Sequence, residues 1–133
     1  MKKVLFLCTG NSCRSQMADA IVNARMGDTW HAVSAGTKPV GYVHPEALAV
    51  LKEIGIHHEG HSKLAEEFKS VDFDLVVTVC DSAAEECPVW LGMGKKVHCG
   101  FSDPALTDDL DDFRKVRDEI GRVILALLEA YEN

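Results

Sequence analysis

The chain has 133 residues, 47% of them apolar and 26% charged, and a net charge of −7 at neutral pH, which is the profile of one soluble globular domain spanning 1–133. An acidic balance with two Trp and two Tyr argues against a nucleic-acid or anionic-membrane partner. No apolar run approaches the roughly 18 residues that span a bilayer, and Val4–Cys8 is too short for the core of a signal peptide, so the expectation is a cytoplasmic protein, monomeric by default.

Lys3–Thr9 is a nearly continuous apolar run, as in a strand buried on both faces. Asn11–Arg25 follows with Met17, Ile21 and Ala24 at helical spacing. Trp30–Ala35 reads as a second strand ending at Gly36. Pro45 suits the first position of a helix that carries Ala47, Leu48, Leu51 and Ile54 and stops at Gly55. Ser62–Phe68 suggests one or two helical turns. Phe73–Cys80 is the clearest buried strand, and Lys95–Cys99 is a weaker fourth. A long helix from about Leu110 to Tyr131 presents Phe113, Val116, Ile120, Val123, Ile124, Leu127 and Leu128 on one face. Strands alternating with helices predict an α/β fold: one domain, a four-stranded parallel sheet, and helices on both faces. Sites in such sheets lie beyond the carboxyl ends of the strands. Cys8, Ser34, Cys80 and Asp103 all fall at or just after such ends.

Five cysteines stand at 8, 13, 80, 87 and 99. The odd count and a reducing compartment argue against a disulfide framework. The C-x4-C and C-x6-C spacings do not match the usual zinc ligand pairs, and no metal is expected. The segment Cys8-Thr9-Gly10-Asn11-Ser12-Cys13-Arg14-Ser15 leaves a strand and enters a helix. In such a turn successive backbone N–H groups and the helix dipole favour a tetrahedral oxyanion. Arg14 adds a planar fork of donors. The same field favours a Cys8 thiolate, so one loop binds an oxyanion and presents a nucleophile to it. Cys13 is expected on the first helical turn as a small buried hydrophobe. With a single Gly and no Lys, this is not a nucleotide-binding loop.

CTGNSCRSQMA near the N-terminus, VSAGT at 33–37, Asp103-Pro104 and FRKVRDEI at 113–120 resemble the low-molecular-weight protein tyrosine phosphatase superfamily, over essentially the whole chain. Within it the thioredoxin-coupled arsenate reductases are most similar. The resemblance implies reduction of arsenate to arsenite for arsenic detoxification, with Cys8 as nucleophile and Asp103 as proton donor. Cys80 and then Cys87 would relay a redox-active disulfide outward to thioredoxin. No cofactor is implied beyond the reducing equivalents that thioredoxin carries, and a weak phosphatase side activity is expected. Hydrolysis of phosphotyrosine or of small phosphomonoesters is the alternative. A phosphatase needs no second cysteine, and its relatives place an aromatic residue after the Asp-Pro, where this chain has Ala105. Ser82 and Glu85 form a capping-box pattern that predicts a short helix between Cys80 and Cys87.

His57-His58-Glu59-Gly60-His61 lacks the spacing of a metal-binding helix and reads as a solvated loop. Asp108, Asp109, Asp111 and Asp112 suit the N-terminus of the last helix. Cys99 reads as packing. Some of the similar reductases hold a potassium ion with a loop Asn, a helix acid, a Ser after the second strand and an Asp. Asn11, Asp19 and Ser34 match the first three, but Lys63 stands where the Asp would be. Either its ammonium group reaches the same oxygens and replaces the cation, or Lys63 points into solvent.

Overall fold

The computed structural model describes residues 1–81 and 90–132. Lys2–Cys8 forms β1, Arg14–Arg25 α1, Trp30–Gly36 β2, Pro45–Glu53 α2, Leu75–Thr78 β3, Lys95–His98 β4 and Leu110–Glu132 α3. Short 3-10 turns occupy Ala65–Phe68 and Pro104–Leu106. The strands lie in the order β2-β1-β3-β4, and every pairing is parallel. This is the four-stranded parallel α/β sheet that the alternating pattern predicts.

β1 runs down the middle of the sheet, and Val4 through Cys8 are buried on both faces. Val4, Phe6 and Cys8 face one core, with Met17 and Ile21 of α1, Leu51 of α2 and Phe113 of α3. Leu5 and Leu7 face a second, smaller core with Ala65, Phe73 and Trp90. Among the described residues, α1, α2 and α3 thus share one face, and the Ala65–Phe68 turn covers the other. On α3, Phe113, Ile120, Ile124 and Leu128 are completely buried, each worth roughly 1.5–3 kcal/mol. Val123 and Leu127 sit at the margin of that face.

Several boundaries are shorter than the apolar runs imply. β3 pairs with both neighbours only over Leu75–Thr78, but the chain keeps bonding to β1 at both ends. Asp74 N–H donates to Lys3 O (2.9 Å) and Val79 N–H to Leu7 O (3.0 Å). β4 is an edge strand carrying Lys95 and Lys96 in solvent, the usual protection of an open edge. The turn at 65–68 replaces the longer helical stretch expected from Ser62.

The largest revision is the start of α1. Helix geometry begins at Arg14, not Asn11, and Cys13 is the N-cap with no side-chain cap of its own. Asn11 has φ +49°, which no α-helix accommodates. Residues 9–13 are therefore an open loop leading into a helix N-terminus.

Candidate functional site

Four parallel strand ends deliver the residues to one edge of the sheet. Cys8 closes β1, and the loop that follows is zipped to the β2–α2 connection. Thr37, Lys38, Val40 and His44 donate their backbone N–H groups to the carbonyls of Cys8 (3.3 Å), Thr9 (2.9 Å), Gly10 (3.1 Å) and Ser12 (3.0 Å). Gly36 permits this approach, since a Cβ there would run into Thr9 O and lie 3.0 Å from Asn11 N. A cavity of about 250 Å³ opens above the loop, lined by Cys8 through Arg14, Val40, Tyr42, His44, Asp103 and Ala105.

Arg14 is almost fully buried. Its Nη1 donates to Phe101 O (3.1 Å), and its Nη2 lies 3.7 Å from Asp103 Oδ2. Asp103 caps its own 3-10 turn by accepting the Ala105 N–H at Oδ1 (3.0 Å). One carboxylate oxygen is thus fixed by the turn, and the other faces Arg14 at the cavity. Cys13 lines the same cavity, but burial pushes its thiol up to about 12, with the Asp103 charge adding to the effect. It stays protonated beside a nucleophile candidate, which agrees with reading it as packing. Cys99 is half-buried against the helical core, and burial raises its thiol too.

Ser15, expected among the oxyanion contacts, is fully buried behind the loop, where its hydroxyl accepts Asn11 Nδ2 (2.9 Å). Ser34 donates to Asp19 Oδ2 (2.9 Å), and Asn23 Nδ2 donates to Asp19 Oδ1 (2.8 Å). Burial raises the Asp19 carboxyl. Both readings of Lys63 need correction. Its backbone N–H, not its ammonium group, reaches Asn11 Oδ1 (2.8 Å), and Nζ donates to His61 O (2.8 Å) from a half-buried position. Its charge still acts on Asp19. Asn11 Oδ1 does not fit a bound cation, because it already accepts from both Lys63 N–H and Gln16 Nε2.

Sequence reasoning missed three groups. Gln16, inside CRSQMA, is a fully buried amide under the loop. His58 belongs to the supposedly solvated loop, yet its Nε2 lies 2.7 Å from Gln16 Oε1, and burial lowers its basicity. Tyr42, 58% exposed, supplies an aromatic side to the cavity that Ala105 does not. A polar residue on an otherwise buried helix face was the available signal for Gln16.

Cys80 follows β3. Leu7 pairs with Thr78, so Cys80 stands one residue beyond the level of Cys8 on the neighbouring strand. It is fully buried and disulfide-bonded. Cys87 and the helix expected from Ser82 lie outside the described residues.

A buried Cys and Arg facing one cavity at a strand-to-helix loop, with an Asp-Pro turn opposite, define a thiol enzyme of the oxyanion-binding kind. The model of the low molecular weight phosphotyrosine protein phosphatase family matches residues 3–133, and the chain belongs to that family. It is 44% identical over 134 residues to an arsenate reductase of Halalkalibacterium halodurans, covering 96% of each chain. Among solved structures it is similar to an arsenate reductase from Archaeoglobus fulgidus, with TM-score 0.84 and 32% identity over 95% of this chain and 98% of the other. A low molecular weight protein tyrosine phosphatase from T. tengcongensis superposes with TM-score 0.76 and 30% identity, over 98% and 99%.

Proposed function

We propose that the protein is an arsenate reductase that works by a three-cysteine relay and is regenerated by thioredoxin. Its relatives' activity supports the substrate, and the single observation that carries the mechanism is Cys80 just past the end of the strand that pairs with β1, one residue beyond the level of Cys8. A family hydrolase needs only the Cys8 loop, Arg14 and Asp103. A second cysteine one residue beyond the nucleophile's level is what an electron relay requires.

In the first step the Cys8 thiolate attacks arsenic, and an oxygen protonated by Asp103 leaves as water. Arg14 and the loop N–H groups of residues 9–14 hold the remaining oxygens. The Cys80 thiolate then attacks Cys8 Sγ. The S–As bond breaks, its electron pair stays on arsenic, and arsenite departs. Cys87 attacks Cys80 Sγ in the Cys8–Cys80 disulfide, which frees the Cys8 thiolate and leaves a Cys80–Cys87 disulfide. Thioredoxin, a dithiol donor, reduces that disulfide by two electrons. Cys80 being disulfide-bonded supports its place in such a cycle. Phosphorus(V) is not reduced by thiols, so a phosphoryl group on Cys8 would be lost to water, a side activity that the aromatic flank of Tyr42 favours for aryl esters. Asn11, Ser15, Asp19, Ser34 and Lys63 support the loop. No cofactor is required. The protein acts as a monomer in the cytoplasm, where thiols stay reduced; among the described residues no helix is long and apolar enough to cross a membrane.

The deciding experiment follows NADPH oxidation by thioredoxin reductase and thioredoxin with the purified protein. Oxidation that depends on arsenate, with one arsenite formed per NADPH, is expected. No arsenate dependence, with hydrolysis of p-nitrophenyl phosphate intact, would overturn the reading in favour of a phosphatase.

A further inference from the structure

Beneath the oxyanion loop, three oxygens surround one end of the Gln16 amide: Asn11 O at 3.1 Å, Asn11 Oδ1 at 3.0 Å and His61 O at 2.9 Å. Only the amide nitrogen can face three acceptors, one of its two N–H groups being shared between the Asn11 oxygens, so the other end is the carbonyl oxygen. That oxygen lies 2.7 Å from His58 Nε2. Two acceptors so close would repel, and Nε2 therefore carries a proton and donates it. Gly60 keeps the space for this bond, because a Cβ there would run into both His58 Nε2 and Gln16 Oε1.

The clamp acts on a residue in the left-handed region. Asn11 holds φ +49°, a conformation that Asn adopts when its side chain finds local hydrogen bonds. Its side chain is fixed by Ser15 Oγ, Gln16 Nε2 and the Lys63 N–H. Gln16 bonds both the Asn11 side chain and its backbone carbonyl.

We propose that His58 is a positioning residue for the oxyanion loop: its Nε2–H fixes the direction of the buried Gln16 amide, and that amide pins Asn11 and the curvature of the loop. Without the donor, the amide oxygen is left unsatisfied or the amide turns over. A turned amide sets its oxygen against the two Asn11 oxygens and loses both bonds. Residues 8–14 would then present their N–H groups to an oxyanion in the wrong arrangement, although Cys8 and Arg14 are untouched. The inference rests on the proposed function only in taking this loop as the oxyanion site.

The test compares His58→Gln with His58→Met, side chains of similar reach that differ in having an N–H donor. The affinity of the reduced full-length protein for inorganic phosphate is measured by calorimetry, well below each variant's melting temperature. His58→Met is expected to bind about tenfold more weakly, as the loss of one buried hydrogen bond implies, and His58→Gln within about twofold of the wild type. Equal affinities in the two variants, or a wild type that binds no phosphate, would overturn the inference. Phosphate binding needs neither arsenate nor thioredoxin. A protein inactive on arsenate that still shows the Gln–Met difference would sink the reductase reading and leave this one standing.

Discussion

Cys8 and Cys13 open into the same cavity with opposite chemistry. Cys8 faces Arg14 at the mouth of a helix, a setting that favours the anion, whereas burial holds Cys13 as a thiol up to about 12. Iodoacetamide at pH 7.5 should therefore label Cys8 of the reduced protein well before Cys13, as peptide mass spectrometry would read. The same shift has a stability consequence. An unfolded cysteine ionises above its ordinary value of 9.0, so between pH 9 and 12 the unfolded state releases a proton that the folded state retains. The Cys13 contribution is complete below pH 9 and is lost as pH rises toward 12, by about 1.4 kcal/mol per pH unit at most. Urea midpoints at pH 8 and pH 10 should fall less in Cys13→Ala than in the wild type. Cys8→Ser should abolish arsenate reduction and phosphatase activity together. Cys80→Ser and Cys87→Ser should lose turnover with thioredoxin and keep hydrolysis of p-nitrophenyl phosphate. Cys8, Arg14 and Asp103 were legible because each sits at an element boundary that local sequence marks. Gln16–His58 was not, since its partners are 42 residues apart and nothing periodic relates them.

Among the elements, α3 is tied to α2 by more than its apolar face. Arg117 is buried and donates from Nη1 to Val50 O (2.9 Å) and Glu53 Oε1 (2.9 Å), satisfying carbonyl and carboxylate groups at the end of α2. Arg114 adds a second fork on Glu53, and the Arg114 hydrogen bond leads the Arg114 and Arg117 contacts that lower the Glu53 carboxyl. Arg117→Ala should cost about 1–3 kcal/mol by leaving the Val50 carbonyl unpaired, Glu53 keeping its Arg114 partner, visible as a lower urea midpoint with unchanged phosphate affinity. Glu53→Gln should flatten the acid limb of stability: the Glu53 contribution is present above its ordinary value of 4.5 and is lost as pH falls through its lower folded value. The alternation of elements was readable from apolar runs, because burial imposes the period. The α1 start was not. Asn11 to Cys13 read as helix by continuity, and only the positive φ at Asn11, stabilised by distant partners, breaks it.

At the scale of the whole molecule, the charges beneath the loop bear on its response to salts. Asp19, His58 and Lys63 lie close enough to shift one another, and Lys63 already supplies a positive charge, so potassium and sodium chloride at equal ionic strength should give the same melting temperature and the same activity. A marked stabilisation by potassium would contradict this. The carbonyls of the loop point to a further property. From Cys8 to Cys13 each accepts a hydrogen bond from the β2–α2 connection, from Gln16 or from α1, so the peptide dipoles are sorted, with negative ends outward and positive ends toward the cavity. A loop that turns its backbone donors toward the cavity, beside the Arg14 guanidinium, sorts solutes by ionisation state. It grips an arsenate or phosphate dianion and has little to offer arsenous acid, which is uncharged at neutral pH and brings hydrogens of its own. Reduction would thus erase the charge by which the substrate was held, and the product would leave with no gate to open.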